Sequence, residues 1–445
     1  MKKGDEILEK EIKSMVGEFM KVLNNDEICI VSHFDTDGIT SASIMIHTLK
    51  KLDKKFSLKI VKSLNPEFIN ELPKEKLILF IDLASGSLNH IKEANLSNVF
   101  IIDHHEITQK VPENVKIINP HLINEQQISS SGLTYLFCKE IDSGIKELSK
   151  LAILGMIGDC LEKEIDSLNN KILKESGVQR KRGLLIYPST RPINRVLEYS
   201  SNPYIPEVTG NLKGVLELLR ETGLNPEKGK YKSLIDLDEK EMKNLTTAIL
   251  LRNPKIKNRD LIGDIFLIKM FNKIEDARDL SATINACSRS GKPELAVQYC
   301  LEILSSKKKV ELAHIKYKQK LITGLNFISK TEKMEGKGFV IINAQDNVKD
   351  TMIGTIASII SNSSLYEEGT IITTMAYYED KIKVSTRIVG RNGRNLRELL
   401  GKIVGFTGGD IGGHKHAAGC IISRKKEEEF IDLLKKNLEI EMIKI

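Results

Sequence analysis

Val99-Phe100-Ile101-Ile102-Asp103-His104-His105 is a short apolar run that ends in a carboxylate and two imidazoles. Three other apolar segments end in the same way. Ile28 to Val31 runs into Ser32-His33-Phe34-Asp35-Thr36-Asp37-Gly38, Leu77 to Ile81 into Asp82, and Leu154 to Gly158 into Asp159. Such runs, alternating with helical stretches, predict an α/β fold with a parallel sheet over 28–159. In open α/β sheets, sites form at the C-terminal ends of the strands. One Asp at a strand end is usually a helix N-cap or turn residue. Its recurrence at every one of these ends predicts a shared site instead. His33, Asp35 and Asp37 alternate, so an extended chain would set them on one face. Gly38 then frees the backbone before a helix expected over Thr40 to Leu52.

Imidazole and carboxylate donors without thiolates suit manganese, magnesium, cobalt or zinc. Two such ions roughly 3.5–4 Å apart would clamp the attacking and leaving oxygens of a phosphoryl displacement and lower the pKa of a bridging water. The expected division gives His33, Asp35 and Asp82 to one ion. Asp37, Asp82, His104 and Asp159 go to the other, so that Asp82 bridges. Asp103 is expected to fix an imidazole tautomer from behind, and His105 to face the substrate phosphate. These two are the candidate catalytic pair.

The segments His33-Phe34-Asp35-Thr36-Asp37-Gly38, Asp82, Asp103-His104-His105 and Gly158-Asp159 resemble, in order and spacing, the four motifs of the DHH phosphoesterase superfamily. Gly412-Gly413-His414-Lys415-His416-Ala417-Ala418-Gly419 is similar to the signature of the DHH-associated C-terminal domain. Asn285-Ala286-Cys287-Ser288-Arg289 resembles an Asn-Ala-x-Gly-Arg segment of RecJ-type nucleases, with Ser288 where a Gly is usual. The resemblance covers roughly residues 25–165 and 275–425, and its nearest branch is that of archaeal RecJ-like exonucleases.

The resemblance implies a catalytic domain over 1–165, fronted by a helix over 6–23, and a mainly helical insertion over 166–270. A motif segment over 271–300 would complete the catalytic domain. A linker helix over 301–335 and a smaller α/β substrate-binding domain over 336–445 follow. It also implies two divalent ions, manganese first with magnesium or cobalt as substitutes. Asn285, Arg289, Arg387, Gly412, Gly413 and His414 are implied substrate contacts. Glycine N–H groups can form an anion-binding nest around His414, and Arg387 could pair with a phosphate bidentately. The implied activity is exonucleolytic release of nucleotides from single-stranded DNA or RNA in replication or repair. The alternatives are an oligoribonuclease or cyclic dinucleotide phosphodiesterase, and a replication-helicase scaffold with little activity.

Composition is consistent with this. The chain has 445 residues, enough for two or three domains. Its 67 Lys+Arg against 60 Asp+Glu give a net charge of +7. That mild basicity suits a polyanionic partner without demanding one. The six cysteines form no C-x-x-C pair, so no zinc knuckle is expected. Met1 to Asp5 is too polar for a signal peptide, and no long apolar span is present, so a cytoplasmic protein without a membrane segment is expected. Glu6 to Leu23 carries an amphipathic pattern. Leu212 to Arg220, Glu239 to Arg252 and Glu294 to Ile328 read as helices. Phe339 to Asn343, Ile371 to Tyr377 and Lys383 to Ile388 read as strands, and Arg391, Arg394 and Arg397 follow them. The basic stretch around Gln179-Arg180-Lys181-Arg182 could guide a nucleic-acid strand, dock a protein, or simply be solvated surface, and the resemblance allows replication-helicase or repair proteins as partners of the chain.

Overall fold

The computed structural model describes residues 3–23, 27–123, 127–200, 203, 205–254, 256, 261–363, 365–390 and 392–440. Arg391 lies outside the described residues. The chain divides into two compact units, one of residues 1–183 and 264–315, the other of 184–263 and 316–445.

The first unit is built on five parallel strands, β1 (Ile28–His33), β2 (Phe56–Val61), β3 (Leu77–Ile81), β4 (Asn98–Ile102) and β5 (Val115–Ile118), in the order β2-β1-β3-β4-β5. A parallel sheet must be covered on both faces, and the strands are apolar accordingly. Ile28 and Ile30 join one core, while Cys29 and Val31 join the other. The amphipathic helix Lys3–Leu23 lays Leu8, Ile12, Met15, Val16 and Phe19 into the first of these cores. There the Phe19 ring meets Phe100 and Phe137 edge to face, at centroid distances of 5.3 and 5.2 Å.

Two features of the motif regions differ from the expectation. Leu154 to Gly158 is the last part of a helix, Ser149–Gly158, not a strand, and Asp159 is its C-cap. It packs against the helices Thr36–Lys51, Ser130–Ile141, Ser167–Ser176 and Ala277–Arg289, so burial on all sides gives a continuous apolar run that periodicity cannot separate from a strand. The helix after β1 begins at Thr36 rather than Thr40. His33 therefore ends a strand, Asp35 caps a helix and Asp37 lies in its first turn. They converge through a strand-to-helix turn and share no extended face.

After β5 come the helices Ser130–Ile141 and Ser149–Gly158. Strands β6 (Gln179–Leu184), β7 (Ile262–Met270) and β8 (Lys273–Asp276) form a small sheet, and β8 leads directly into the helix Ala277–Arg289.

The second unit holds two separate cores. Residues 184–263 pack the helices Ile193–Glu198, Leu212–Glu221 and Glu239–Arg252 around Leu197, Val215, Leu219, Leu245 and Ile249. The C-terminal part is a six-stranded mixed sheet, ordered β13-β14-β12-β11-β10-β9. Its strands are β9 (Met334–Gly336), β10 (Phe339–Asn343), β11 (Ile371–Tyr378), β12 (Lys381–Ile388), β13 (Asp410–His414) and β14 (Ala417–Ser423). Only β10 and β11 are parallel, and the helix Asp350–Asn362 supplies the crossover they require. The helix Leu304–Lys330 carries the chain from one unit into the other.

Phe19→Ala should destabilise the first unit by about 3–5 kcal/mol, the range for truncating a buried aromatic. Urea unfolding followed by far-UV circular dichroism would show it. A midpoint equal to that of the wild type would mean that the N-terminal helix is not docked on this core.

Candidate metal centre

Strand ends and helix starts bring the motif side chains together in the first unit. His33 is the last residue of β1. Asp35 caps the following helix, its Oδ1 accepting from Gly38 N–H at 3.1 Å. A side chain at Gly38 would lie 2.3 Å from the His33 carbonyl oxygen, so the tight turn needs glycine there. Asp82 follows β3 and Asp103 follows β4. Asp82 adopts the left-handed region at φ 62°, a conformation that costs a non-glycine residue about 1–3 kcal/mol and collects at functional sites.

Asp82 lies at the centre. Its carboxylate is 1% exposed, and neither oxygen has a hydrogen-bond partner among the described residues. Oδ2 is 3.4 Å from His33 Nδ1, and Oδ1 is 3.5 Å from His104 Nε2. On one side, His33 Nδ1 is 2.9 Å from Asp35 Oδ2. On the other, His104 Nε2 is 3.2 Å from Asp159 Oδ2 and 4.0 Å from Asp37 Oδ2. His33, Asp35 and Asp82 thus form one converging set of donor atoms, and Asp37, His104 and Asp159 a second, each within 4.8 Å. The structure brings together all six of the expected ligands, with Asp82 between the sets.

A third grouping, Asp82 with His104 and His105, is of a different kind. The Nδ1 of His105 that lies 3.9 Å from Asp82 is held at 2.7 Å by Asp103 Oδ1. Asp103 is fully buried and accepts four hydrogen bonds. Three reach Oδ1, from the N–H groups of His104 and His105 and from the His105 ring, and Ser85 N–H reaches Oδ2. It fastens the turn and fixes His105 as the Nδ1–H tautomer. Asn119 adds to the clamp, donating to the His105 carbonyl at 2.8 Å and to Ser85 Oγ at 2.9 Å.

The electrostatics describe a site short of positive charge. Burial, then the neighbouring Asp82, pushes the Asp37 carboxyl up to about 7. Burial and Asp37 push Asp159 well above the usual carboxylate range. Burial opposes charge on His33 and His104, yet Asp35 and Asp82 hold His33, and Asp82 and Asp159 hold His104, well above the usual imidazole value. Divalent cations bound among these groups would neutralise the same carboxylates. An orphaned buried carboxylate flanked by imidazoles fits a resident metal, and an all-nitrogen-and-oxygen donor set suits hard to borderline ions.

Sequence reading did not find Asp37's support. Its Oδ2 accepts from Ser130 N–H at 2.7 Å and its Oδ1 from Ser131 N–H at 3.0 Å. Both donors belong to the N-terminus of the helix Ser130–Ile141, where unpaired N–H groups and the helix dipole favour an anion. Gly155 makes room for this arrangement, since a Cβ there would lie 2.4 Å from Asp37 Oδ1 and 2.1 Å from Ser131 Oγ. Ser129 caps the same helix, its Oγ accepting from Gly132 N–H at 3.2 Å.

The expected substrate contacts fall in two places. In the first unit, Asn285 Oδ1 accepts from Thr36 N–H at 3.1 Å, and the Arg289 guanidinium lies 5.7 Å from the centre of the Phe34 ring. In the C-terminal sheet, Ala417 pairs with Arg387 on one side and with His414 on the other. Cross-strand partners project from the same face, so Arg387 and His414 flank a methyl group across three adjacent strands. Arg387 donates Nε–H to Ser358 Oγ and Nη1–H to the Thr386 carbonyl. Gly412 and Gly413 lie beside them on the exposed edge strand β13. At Gly413, φ is 111° and a Cβ would lie 2.4 Å from the Ala417 carbonyl oxygen, so only glycine fits.

Three family models match this chain. They are the DHH family N-terminal domain over residues 27–158, the DHH-CID domain over 186–258 and the DHHA1 domain over 336–439. An uncharacterized protein of Methanocaldococcus jannaschii is 31% identical over 429 residues, which span 92% of this chain and 93% of that protein. The single-stranded-DNA-specific exonuclease RecJ of Bacillus subtilis is 25% identical over 184 residues, 36% of this chain and 22% of RecJ. The chain therefore spans only about a fifth of that exonuclease. Among solved structures, RecJ of Thermus thermophilus in complex with Mn2+ superposes with a TM-score of 0.60 at 16% identity, over 96% of this chain and 54% of RecJ. CDC45 of Entamoeba histolytica superposes with a TM-score of 0.66 at 12% identity, over 96% and 99%. At these identities the likeness is one of fold. No helix of the described residues is long and apolar enough to cross a membrane.

Asp37, Asp159, His33 and His104 all have folded-state pKa values above their ordinary ones. Each therefore contributes stability at low pH that is lost as pH rises through the folded value. In EDTA, the melting temperature should fall as pH is raised from about 6 to about 8, and the increase produced by added Mn2+ should grow over the same interval, because the cation replaces these protons. Thermal melts across that range check this. A Mn2+ effect independent of pH would contradict it.

Proposed function

The chain belongs to the DHH family, in its RecJ-like branch, and from that premise we propose that it is a divalent-metal-dependent exonuclease that releases nucleotides from an end of single-stranded DNA or RNA. The observation that supports this most is the buried Asp82 carboxylate, without a hydrogen bond among the described residues, between two sets of nitrogen and oxygen donors. His33, Asp35 and Asp82 would hold one ion, and Asp37, Asp82, His104 and Asp159 the other, with manganese the first choice. Bound there, the ions supply Lewis acidity to the phosphodiester and its attacking water.

The remaining steps fall to protein groups. Asp103 anchors His105 through Nδ1, and Nε2 would face the substrate. Burial works against protonating His105, but the bond to Asp103 raises its pKa above the usual imidazole value. The ring can therefore carry a proton at Nε2 and deliver it to the leaving oxygen. In the C-terminal domain, His414 and Arg387 would take a phosphate of the strand on their common face, with Gly412 and Gly413 allowing the backbone close approach. Arg289 would contact a phosphate from the first unit. These are backbone contacts, so binding should be tolerant of sequence and weakened by salt. We assign the chain's parts accordingly: catalytic domain 1–165 completed by 271–300, insertion 166–270, linker 301–335 and substrate-binding domain 336–445, working in the cytoplasm in replication or repair. The retention of every motif carboxylate and imidazole favours catalysis over a purely scaffolding role.

End-labelled single-stranded DNA and RNA incubated with Mn2+ should release mononucleotides. Asp82→Asn and His104→Ala should each lower the rate by more than roughly 100-fold, beyond the usual effect of groups that only support ligands. His105→Ala should lower kcat by about 100- to 10,000-fold, as expected for loss of a proton donor, while Mn2+ binding persists. Release unaffected by Asp82→Asn would remove the metal centre from the mechanism. Cleavage of dinucleotides but not of polymers would move the activity to short substrates, and cleavage of neither would favour the scaffold.

A further inference from the structure

We infer that Ser281 and Asn285 are positioning residues for the metal donors. They seize Thr36 and thereby fix the angle between Asp35 and Asp37. This rests on the metal-dependent reading above.

Thr36 separates the two carboxylates and is 1% exposed. As the first residue of its helix, it has an N–H with no intrahelical acceptor. Asp35 cannot serve it, because the Asp35 side chain is turned onto Gly38 N–H. Asn285 Oδ1 takes that N–H at 3.1 Å, across 249 positions of sequence. The Thr36 hydroxyl donates to the Ser281 carbonyl at 3.1 Å, and its oxygen lies 3.0 Å from Ser281 Oγ, which can donate to it. From the other side, Thr36 is pressed on Gly158, where a Cβ would lie 2.8 Å from the Thr36 Cβ. Gly158 immediately precedes Asp159. One small side chain thus sets Asp35, Asp37 and Asp159 relative to one another.

The partners of Thr36 come from the helix Ala277–Arg289, which the chain reaches only after residues 184–263 have been traversed. The metal turn is therefore finished by a segment beyond the insertion. The amide oxygen of Asn285 is engaged by the protein, which makes this residue a support for the ligands where sequence resemblance implied a substrate contact.

The test is Mn2+ binding in the absence of nucleic acid, read from the electron paramagnetic resonance signal of free Mn2+, on the full chain. The variants are Asn285→Ala, Asn285→Asp and Thr36→Val, with kcat and KM on labelled single-stranded DNA measured at saturating Mn2+. Asn285→Ala and Thr36→Val should bind Mn2+ roughly 10–100-fold more weakly, the usual cost of removing a ligand's support. Asn285→Asp keeps an acceptor for Thr36 N–H and should recover most of that loss, and KM should stay near the wild-type value in all three. Wild-type Mn2+ binding by Asn285→Ala with a raised KM would overturn the inference and return Asn285 to the substrate. Should Asn285→Ala fail to fold, Asn285→Asp and Thr36→Val carry the same comparison. Absence of Mn2+ binding by the wild type would defeat the metal-dependent reading itself, an outcome distinct from equal binding by wild type and variants.

Discussion

A carboxylate buried without a hydrogen-bond donor is the constraint on which this molecule turns. Asp82 is inaccessible, without a hydrogen bond among the described residues, and held in left-handed backbone, with the acidic groups of Asp37 and Asp35 nearby. Removing one ion from water costs several kcal/mol even after relaxation. Gathering several carboxylates around one point adds mutual repulsion. Such an arrangement persists only if the fold over-determines it and if positive charge can enter.

The surrounding structure meets both conditions. Asp103 is the contrasting case, a buried carboxylate saturated by four donors, which is why its pKa falls far below the usual range while those of Asp37 and Asp159 rise. Asp37 is stabilised in part by a helix N-terminus and in part left facing the acidic centre. Asp35 is drawn down by His33 against the effect of burial. Fully satisfied groups hold the geometry, and partly satisfied groups face the acidic centre.

Glycine and small side chains make this crowding possible. Gly38 lets the chain turn back on His33, Gly155 admits the Asp37 carboxylate and Ser131, and Gly158 admits Thr36. In each case a single methyl group would collide with a polar atom or a side chain of the site. The donor sets would not converge with anything larger at these positions.

Periodicity and residue chemistry made the parallel sheet legible, because strands buried on both faces must be almost wholly apolar. They also exposed the motif donors, because imidazoles and carboxylates stand out at the ends of such runs. The sequence misassigned the segment before Asp159 as a strand for the same reason, since a helix buried on all sides loses its amphipathic pattern. It placed Asp35 and Asp37 on one extended face, although a helix starts between them. What the linear chain could not reveal were contacts whose partners lie far away in sequence, such as Ser130 and Ser131 on Asp37 or Asn285 on Thr36. Backbone N–H groups carry no residue-specific signature, so their use as anion donors is decided only when tertiary packing aims a helix terminus. The sequence by itself determined which atoms could hold a cation. The tertiary structure decided how they are held apart, because that depends on hydrogen bonds and steric limits between segments that only the folded chain brings together.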